Sequence, residues 1–500
     1  MMQVSNSLEK KELFSTNISQ IRQTLKKWIT NDELHWTEKL SDEVLMQELI
    51  QISQIQRFSQ KWQADPELKK QLLIDSHQAV ARYNLNINPE EIRVLWDKTH
   101  TQKENQADSI SLSLKNYRNL INDEVRQAYE IQRIAGSSIE PSYKAWRERQ
   151  MTRAASELNQ LPQTLPEIHF PIAFELSKGC SVGCWFCGVS APRLGDIFIY
   201  NQENARLWRE VLELMKEILG PAAGTGFCYC ASDPFDNPDY EKFCDDFHAI
   251  LGIFPPTTTA QPLKNPDRTR FLLKLSLEKG CILNRFSILS LKMLDQVCNE
   301  FSSEELAFVD FVLQNKEADI PKSYSGRARE HNHRKAEKSQ EILNNTLAGS
   351  TACVSGFLFN MVDRSVKLIS PCNADERWPL GYRVYEKGTF TNADDLKILL
   401  KRMINTHMPL TLRPNDRISF RRDLKYENLP DGFQVSTKFH KHKFQNASYI
   451  RQLGEVIYKG DKTAEEIALL FNVCGIPSAT IYHFLNLIFE HGVLDDEPKM

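Results

Sequence analysis

From residue 168 onward the apolar residues change period again and again, and this constrains the fold more than any other feature. Ile168, Phe170, Ile172, Phe174 and Leu176 alternate with less apolar residues, as a strand requires. "NQENARLWREVLELMKEILG" then sets Leu207, Val211, Leu214 and Ile218 on one helical stripe, with Gly220 suited to the C-terminal cap. The alternation continues through a strand "GTGFCYC", a helix from Asn237-Pro238, a weaker strand "PTTTA" and a helix from Asn265-Pro266 to near Gly280. It ends with a strand "NRFSILS", a helix "LKMLDQVCNEF" and a strand "LAFVDFVLQ". A repeated strand–helix order predicts parallel strands joined by right-handed crossovers. Five or six such units predict an α/β fold, a partial TIM-like (β/α)6 barrel over residues 165–350.

The flanking regions have other rhythms. Residues 1–160 read as a helical N-terminal domain, with helix-start signals at Asp65-Pro66 and at Asn88-Pro89. Residues 315–350 are highly charged with little apolar periodicity, and predict a solvated insert in preference to a lid. Residues 351–435 open with a hairpin turning at Asp363-Arg364-Ser365 and return to helix in "TNADDLKILLKRMI". Residues 440–500 carry a capping-box pattern, Thr463 with Glu466, and two short helices that predict a helix-turn-helix or winged-helix-like unit. No strands to complete a winged helix are evident upstream.

The chain has 500 residues, 41% hydrophobic and 25% charged, with a formal net charge of -3. Nothing global in that balance argues for a nucleic-acid partner. No signal peptide and no transmembrane run is evident, and eleven cysteines are too few and too unevenly spaced for a secreted disulfide scaffold. A reducing cytoplasm is the expected setting, where clustered thiols indicate metal or redox chemistry.

The cluster itself is "KGCSVGCWFCG", residues 178–188. It places Cys180, Cys184 and Cys187 directly after the first strand, among glycines at 179, 183 and 188. Structural zinc needs four ligands, and the next thiols, Cys228 and Cys230, lie 41 residues on. Three thiolates suit an iron–sulfur cluster that keeps one iron open, and the C-terminal end of barrel strands is where active sites sit.

With Phe186 before the third cysteine, this stretch resembles the signature of radical S-adenosylmethionine (SAM) enzymes. The resemblance implies one 4Fe–4S cluster whose open iron chelates SAM, a 5′-deoxyadenosyl radical, and an electron donor such as flavodoxin or ferredoxin. The family's SAM-amino motif would fall at Ala231-Ser232-Asp233-Pro234, which lacks the usual glycines. Ser232 and Asp233 are the candidates there, and a plain turn is the alternative. Asn284, Arg285 and Ser287 on the fourth strand are candidates for the ribose or carboxylate of SAM, or are simply polar strand ends.

"FELSKGCSVGCWFCGVSAP" and "LISPCNADERWPLGYRVYEKGTF" are similar to radical SAM peptide epimerases that mature proteusin-type ribosomal peptides. This implies conversion of L- to D-residues in a precursor peptide, with a cysteine thiol returning hydrogen to the opposite face. The matching position is Cys372, and Cys353 is its main rival. Cys228, Cys230 and Cys281 could also face the barrel interior. Residues 57–97 resemble Nif11-type leader peptides, and the C-terminal unit is similar to winged-helix leader-recognition domains, so a precursor with a leader is the expected partner. C-methylation or crosslinking of a peptide is the second reading. An iron–sulfur sensor that binds DNA is the third, and the near-neutral charge counts against it.

Overall fold

A computed structural model describes residues 18–27, 34–97, 99, 111–158, 169–318, 324–339, 350–438 and 440–498. Ile168, the expected boundary at 160–165 and residues 340–349 of the charged insert lie outside them. In chain order the helices and strands begin with α1 (Ile18–Lys26), α2 (Asp42–Ala64), α3 (Pro66–Ile74), α4 (Ser76–Arg82), α5 (Arg93–Trp96), α6 (Leu112–Ala135) and α7 (Pro141–Glu157). Next come β1 (Phe170–Glu175), β2 (Ser177–Lys178), β3 (Asp196–Ile197), α8 (Gln202–Leu219), α9 (Tyr240–Leu251), β4 (Thr258–Thr259), α10 (Pro266–Glu278), β5 (Asn284–Ile288), α11 (Leu291–Glu300) and β6 (Val309–Leu313). Then follow α12 (Gly326–Ser339), β7 (Val354–Asn360), β8 (Ser365–Pro371), β9 (Tyr382–Thr389) and α13 (Ala393–His407). The chain closes with β10 (Lys425–Leu429), β11 (Gly432–Ser436), β12 (Lys441–Phe444), α14 (Ile450–Lys459), α15 (Ala464–Val473) and α16 (Ser478–Glu490).

Contacts divide the chain into two units, Met1–Ile131 with Asp233–Lys322, and Gln132–Ser232 with Ser323–Met500. This division cuts across the expected boundaries near 160 and 350. The reason within the first unit is physical. Gln56 and Gln60 of α2 both donate to the Val309 carbonyl of β6, and Arg57 donates to the Phe301 carbonyl. Leu120 of α6 shares a core with Ile282 and Phe308, which lie just before β5 and β6.

That first unit carries a parallel sheet in the order β4-β5-β6. Asp65 caps α3 by accepting the Glu67 N–H, with Pro66 at the first position as expected. The leader-like residues 57–97 build a helical core around Phe58, Leu68, Leu72, Val80 and Trp96.

The second unit is built on a sheet in the order β1-β7-β8-β9, parallel between β1 and β7 and antiparallel beyond. The expected strand "GTGFCYC" is reduced to isolated bridges, Ala173 with Phe227 and Glu175 with Tyr229. Helix α7 lies along one face, where the Tyr143 hydroxyl donates to the Ser355 carbonyl and Ser370 and Tyr385 both donate to Gln150 Oε1. A second core gathers Ala173, Phe227, Leu358, Ile369 and Tyr382, with Val189 packed against it. Leu207, Val211, Leu214 and Ile218 of α8 are all buried, as their stripe predicts.

Within this unit the C-terminal residues form an antiparallel sheet, β10-β11-β12, packed with α14–α16 around Phe433, Leu453, Phe471 and Leu485. The three strands correct the reading that none is evident upstream of these helices. The Thr463–Glu466 capping box is formed.

The protein is thus mixed α/β with open sheets, and no barrel is closed among the described residues. No helix among them is long and apolar enough to cross a membrane.

Candidate functional site

The cysteine loop hangs from a short ribbon. Strand β2 pairs antiparallel with β3, and the Gly195 N–H donates to the Lys178 carbonyl at 2.9 Å. Two residues beyond Lys178, the Cys180 N–H donates to the Pro192 carbonyl at 2.9 Å. This tight crossing explains Gly179, which has φ +90°, and a Cβ there would lie 2.4 Å from the Arg193 oxygen.

Inside the ribbon the chain turns on Cys187. Its N–H donates to the Cys184 carbonyl at 3.3 Å, and its own carbonyl accepts the Ser190 N–H at 3.2 Å. The Ala191 N–H donates to Cys187 Sγ at 3.4 Å, a backbone donor aimed at sulfur. Cys180, Cys184 and Cys187 are half-buried. Burial pushes the Cys184 thiol up to about 11, the neighbouring Cys180 and Cys187 thiols add to the rise, and Arg327 opposes it. Phe186 meets Trp185 edge-on at 5.4 Å between ring centres. Among the described residues no three His, Cys, Asp or Glu side chains close on one point as a finished metal site. The three thiols are loop neighbours within electrostatic reach of one another.

The segment expected to be solvated docks here. The Arg327 N–H donates to the Cys187 carbonyl at 2.9 Å, and Arg327 Nη2 donates to the Ala191 carbonyl at 2.6 Å. Trp185 lies 4.7 Å from His331 of α12, ring to ring. Sequence reading missed Arg327 because it sits in a charge run, and no local pattern separates a docked arginine from a solvated one.

Cys372 follows the end of β8 and is 1% exposed. Its N–H donates to the Gly381 carbonyl at 2.9 Å. Burial pushes its thiol up to about 12, against the opposing charge of Arg383, so it stays an S–H group at neutral pH. Cys353 and Cys230 lie elsewhere in this unit, packed with Tyr382 and Val189. Burial, then Glu175 and Cys353, raise the Cys230 thiol. Glu175, at the end of β1, accepts a 2.7 Å hydrogen bond from Asn360.

Ser232 closes the second unit's first segment, while Asp233, Asn284, Arg285 and Ser287 belong to the first unit. Asp233 is buried and heavily engaged. It accepts the N–H groups of Phe235 and Ala260 and the Thr259 hydroxyl, at 3.0, 2.8 and 2.9 Å. Asn284 is turned inward, donating to Ser276 Oγ and accepting the Thr257 N–H. Arg285 acts electrostatically on the buried carboxyls of Glu124 and Asp310. The bland readings of Asp233 and Asn284, a turn cap and a polar strand end, account for most of their hydrogen-bonding capacity.

Comparison with curated proteins finds 36% identity over 456 residues to the Sinorhizobium fredii protein named "Uncharacterized protein y4wI", covering 89% of this chain and 88% of that one. The chain belongs to the family of that protein. No family model matches, and no solved structure matches.

The donor set of the loop fits a metal cluster. Three thiols lie on one loop, a backbone N–H donates to the third sulfur, and Arg327 is hydrogen-bonded to the same loop. In a metal-free loop, burial and the neighbouring thiols disfavour the Cys184 thiolate, whereas a coordinating cation would favour it.

Proposed function

We propose that this protein is a radical SAM peptide epimerase, and that Cys180, Cys184 and Cys187 would hold its 4Fe–4S cluster. The single observation that carries this reading is the cysteine loop after β1, with the Ala191 N–H on Cys187 Sγ. When bound, the cluster and SAM would supply a 5′-deoxyadenosyl radical able to take a peptide α-hydrogen. The finer fold in this reading is the partial (β/α)6 barrel, with β1, the 226–230 segment, β4, β5 and β6 among its strands. Ser232, Asp233, Asn284, Arg285, Ser287 and Phe186 remain its candidate SAM contacts.

Cys372 is the proposed hydrogen donor. A donor of a hydrogen atom must be a protonated thiol, and burial keeps Cys372 in that form. The residue gains at its α-carbon the hydrogen that the thiol loses, and the resulting thiyl radical needs one electron and one proton to recover. An external one-electron donor such as flavodoxin or ferredoxin would meet that need. A reducing, cytoplasmic setting belongs to the proposal, since the number and spacing of the eleven cysteines do not suit a secreted disulfide scaffold.

The proposed partner is a precursor peptide with a leader. The order β10-β11-β12 followed by α14–α16 supports the winged-helix leader-recognition reading, and β12 is an edge strand to which an extended peptide can add. The deciding experiment is coexpression with a candidate precursor in heavy water. A gain of about one mass unit per inverted residue is expected, because an exchanging thiol delivers deuterium. A methyl gain or a two-hydrogen loss instead would turn the reading to methylation or crosslinking.

A further inference from the structure

The charged stretch after residue 323 contains the least expected contact in the second unit. Ser325, Gly326 and Arg327 do not stand off in solvent but lie against the cysteine loop. Gly326 has φ +53°, and a Cβ there would lie 2.5 Å from the Gly188 oxygen and 2.7 Å from the Cys187 oxygen. From the other side, a Cβ on Gly188 would lie 2.2 Å from Thr351 Oγ1 and 2.9 Å from Ser325 Oγ. Two glycines thus let two backbones meet where no side chain would fit.

Arg327 uses this approach. Its N–H and its Nη2 tie down the carbonyls of Cys187 and Ala191, the two ends of the arc in which the Ala191 N–H reaches Cys187 Sγ. The arc is held in hydrogen-bonding shape from outside. Arg327 Nε is buried with no hydrogen-bond partner among the described residues. A buried guanidinium donor left unpaired is costly, and such donors are normally satisfied by protein, water or a bound group.

We propose that Arg327 is a positioning residue for the metal cluster. It locks the Cys187–Ala191 arc and brings one positive charge and one N–H donor unused among the described residues to the loop that carries the three cysteines. The inference rests on the cluster reading above and assigns this residue a part in it. Groups outside the ligands orient them, and net charge and hydrogen bonds to sulfur set a cluster's reduction potential. Lysine keeps the charge but not the planar fork, and glutamine keeps neither.

The test reconstitutes the full-length protein anaerobically with iron and sulfide as wild type, Arg327→Lys, Arg327→Gln and Arg334→Gln. Arg334 is exposed on the same helix and, among the described residues, pairs with Glu330 one turn away. Iron per chain and the midpoint potential are measured. In the metal-free proteins, alkylation of Cys184 and Cys187 by iodoacetamide is followed by peptide mass spectrometry.

Expected are a more negative potential for Arg327→Gln, a near wild-type potential for Arg327→Lys, and several-fold faster alkylation of Cys187 in both. Arg334→Gln should match wild type throughout. Unchanged potential with reduced iron in both Arg327 variants would overturn the assignment and leave a purely structural arginine. Wild-type behaviour of both in every readout would overturn it entirely. A wild-type protein that takes up no iron sinks the cluster reading, and with it the electrostatic half of this inference. The alkylation arm needs no metal and decides the loop-locking half by itself.

Discussion

Gly326 faces Gly188 so closely that a Cβ on Gly326 would lie 2.5 Å from the Gly188 carbonyl oxygen. Because Gly326 also has φ +53°, alanine there meets both backbone strain and a clash with main-chain atoms, which cannot swing aside. Gly326→Ala is expected to destabilise the protein by about 1–3 kcal/mol. It should also lower iron uptake, measured by thermal denaturation and iron assay of the same preparation. An unchanged melting temperature would show that the two segments are not docked as described.

The three loop cysteines are half-buried, so their removal should spare the fold. Alanine at Cys180, Cys184 or Cys187 is expected to abolish stable iron binding while leaving far-ultraviolet circular dichroism unchanged. Alanine at Cys474, an exposed cysteine, should retain wild-type iron.

For Cys372 the argument concerns protonation. Its thiol is raised to about 12, so no thiolate forms between pH 7 and 9. Deuterium delivery should not fall with an apparent pKa near that of an ordinary cysteine across this interval. Cys372→Ala should lose the label while 5′-deoxyadenosine still forms. Retention of the label in that variant, with loss in Cys353→Ala, would transfer the role to Cys353.

His169 offers a pH test that is independent of function. Burial, and then Arg147, hold its imidazole down at about 3, and Nδ1 lies 2.8 Å from Ser355 Oγ. A histidine depressed in the folded state favours unfolding when protonated. Its stability is intact above the ordinary value near 6.5 and is lost progressively as pH falls toward 3. His169→Gln should therefore flatten the fall in melting temperature between about pH 6.5 and 4.

The last described residues close a buried ion network. Glu497 pairs with Arg377 and Arg383 at 2.8 and 2.9 Å, Arg383 pairs with Glu157 at 2.7 Å, and Asp496 pairs with Arg153. Burial alone would raise the Glu497 carboxyl, but Arg383 and Arg153 outweigh it and hold it low. Glu497→Ala removes one carboxylate shared by Arg377 and Arg383, while Arg383 keeps Glu157 and Arg153 keeps Asp496, and should cost about 1–3 kcal/mol by chemical denaturation. A loss under 1 kcal/mol would place that network in water.

What the sequence disclosed follows the reach of each signal. The α8 stripe, the Asp65-Pro66 start, the hairpin at Asp363 and the Thr463–Glu466 box are local patterns, and all four are formed. Strands β10–β12 were missed although Pro430-Asp431-Gly432 is a turn signal, because Lys425, Glu427, Lys441 and Lys443 give their strands a polar appearance. The strand around Phe227 contracted to two bridges because Gly224 and Gly226 shorten the run that could pair. The cysteine loop itself was legible as a motif, since its cysteines and glycines are close in sequence. Arg327 was not, because the contact joins residues far apart in sequence and depends on a glycine whose neighbour only folding supplies.

That separation has a consequence during synthesis. The cysteine loop leaves the ribosome well before Gly326, Arg327 and strand β7 exist to brace it. At about 5–20 residues per second the interval is on the order of 10 s. Through that time the three thiols are part of an unbraced segment, open to oxidation and to adventitious metal. Protein made in aerated cells is therefore expected to carry oxidative damage at the loop cysteines that was set before Arg327 could dock against them.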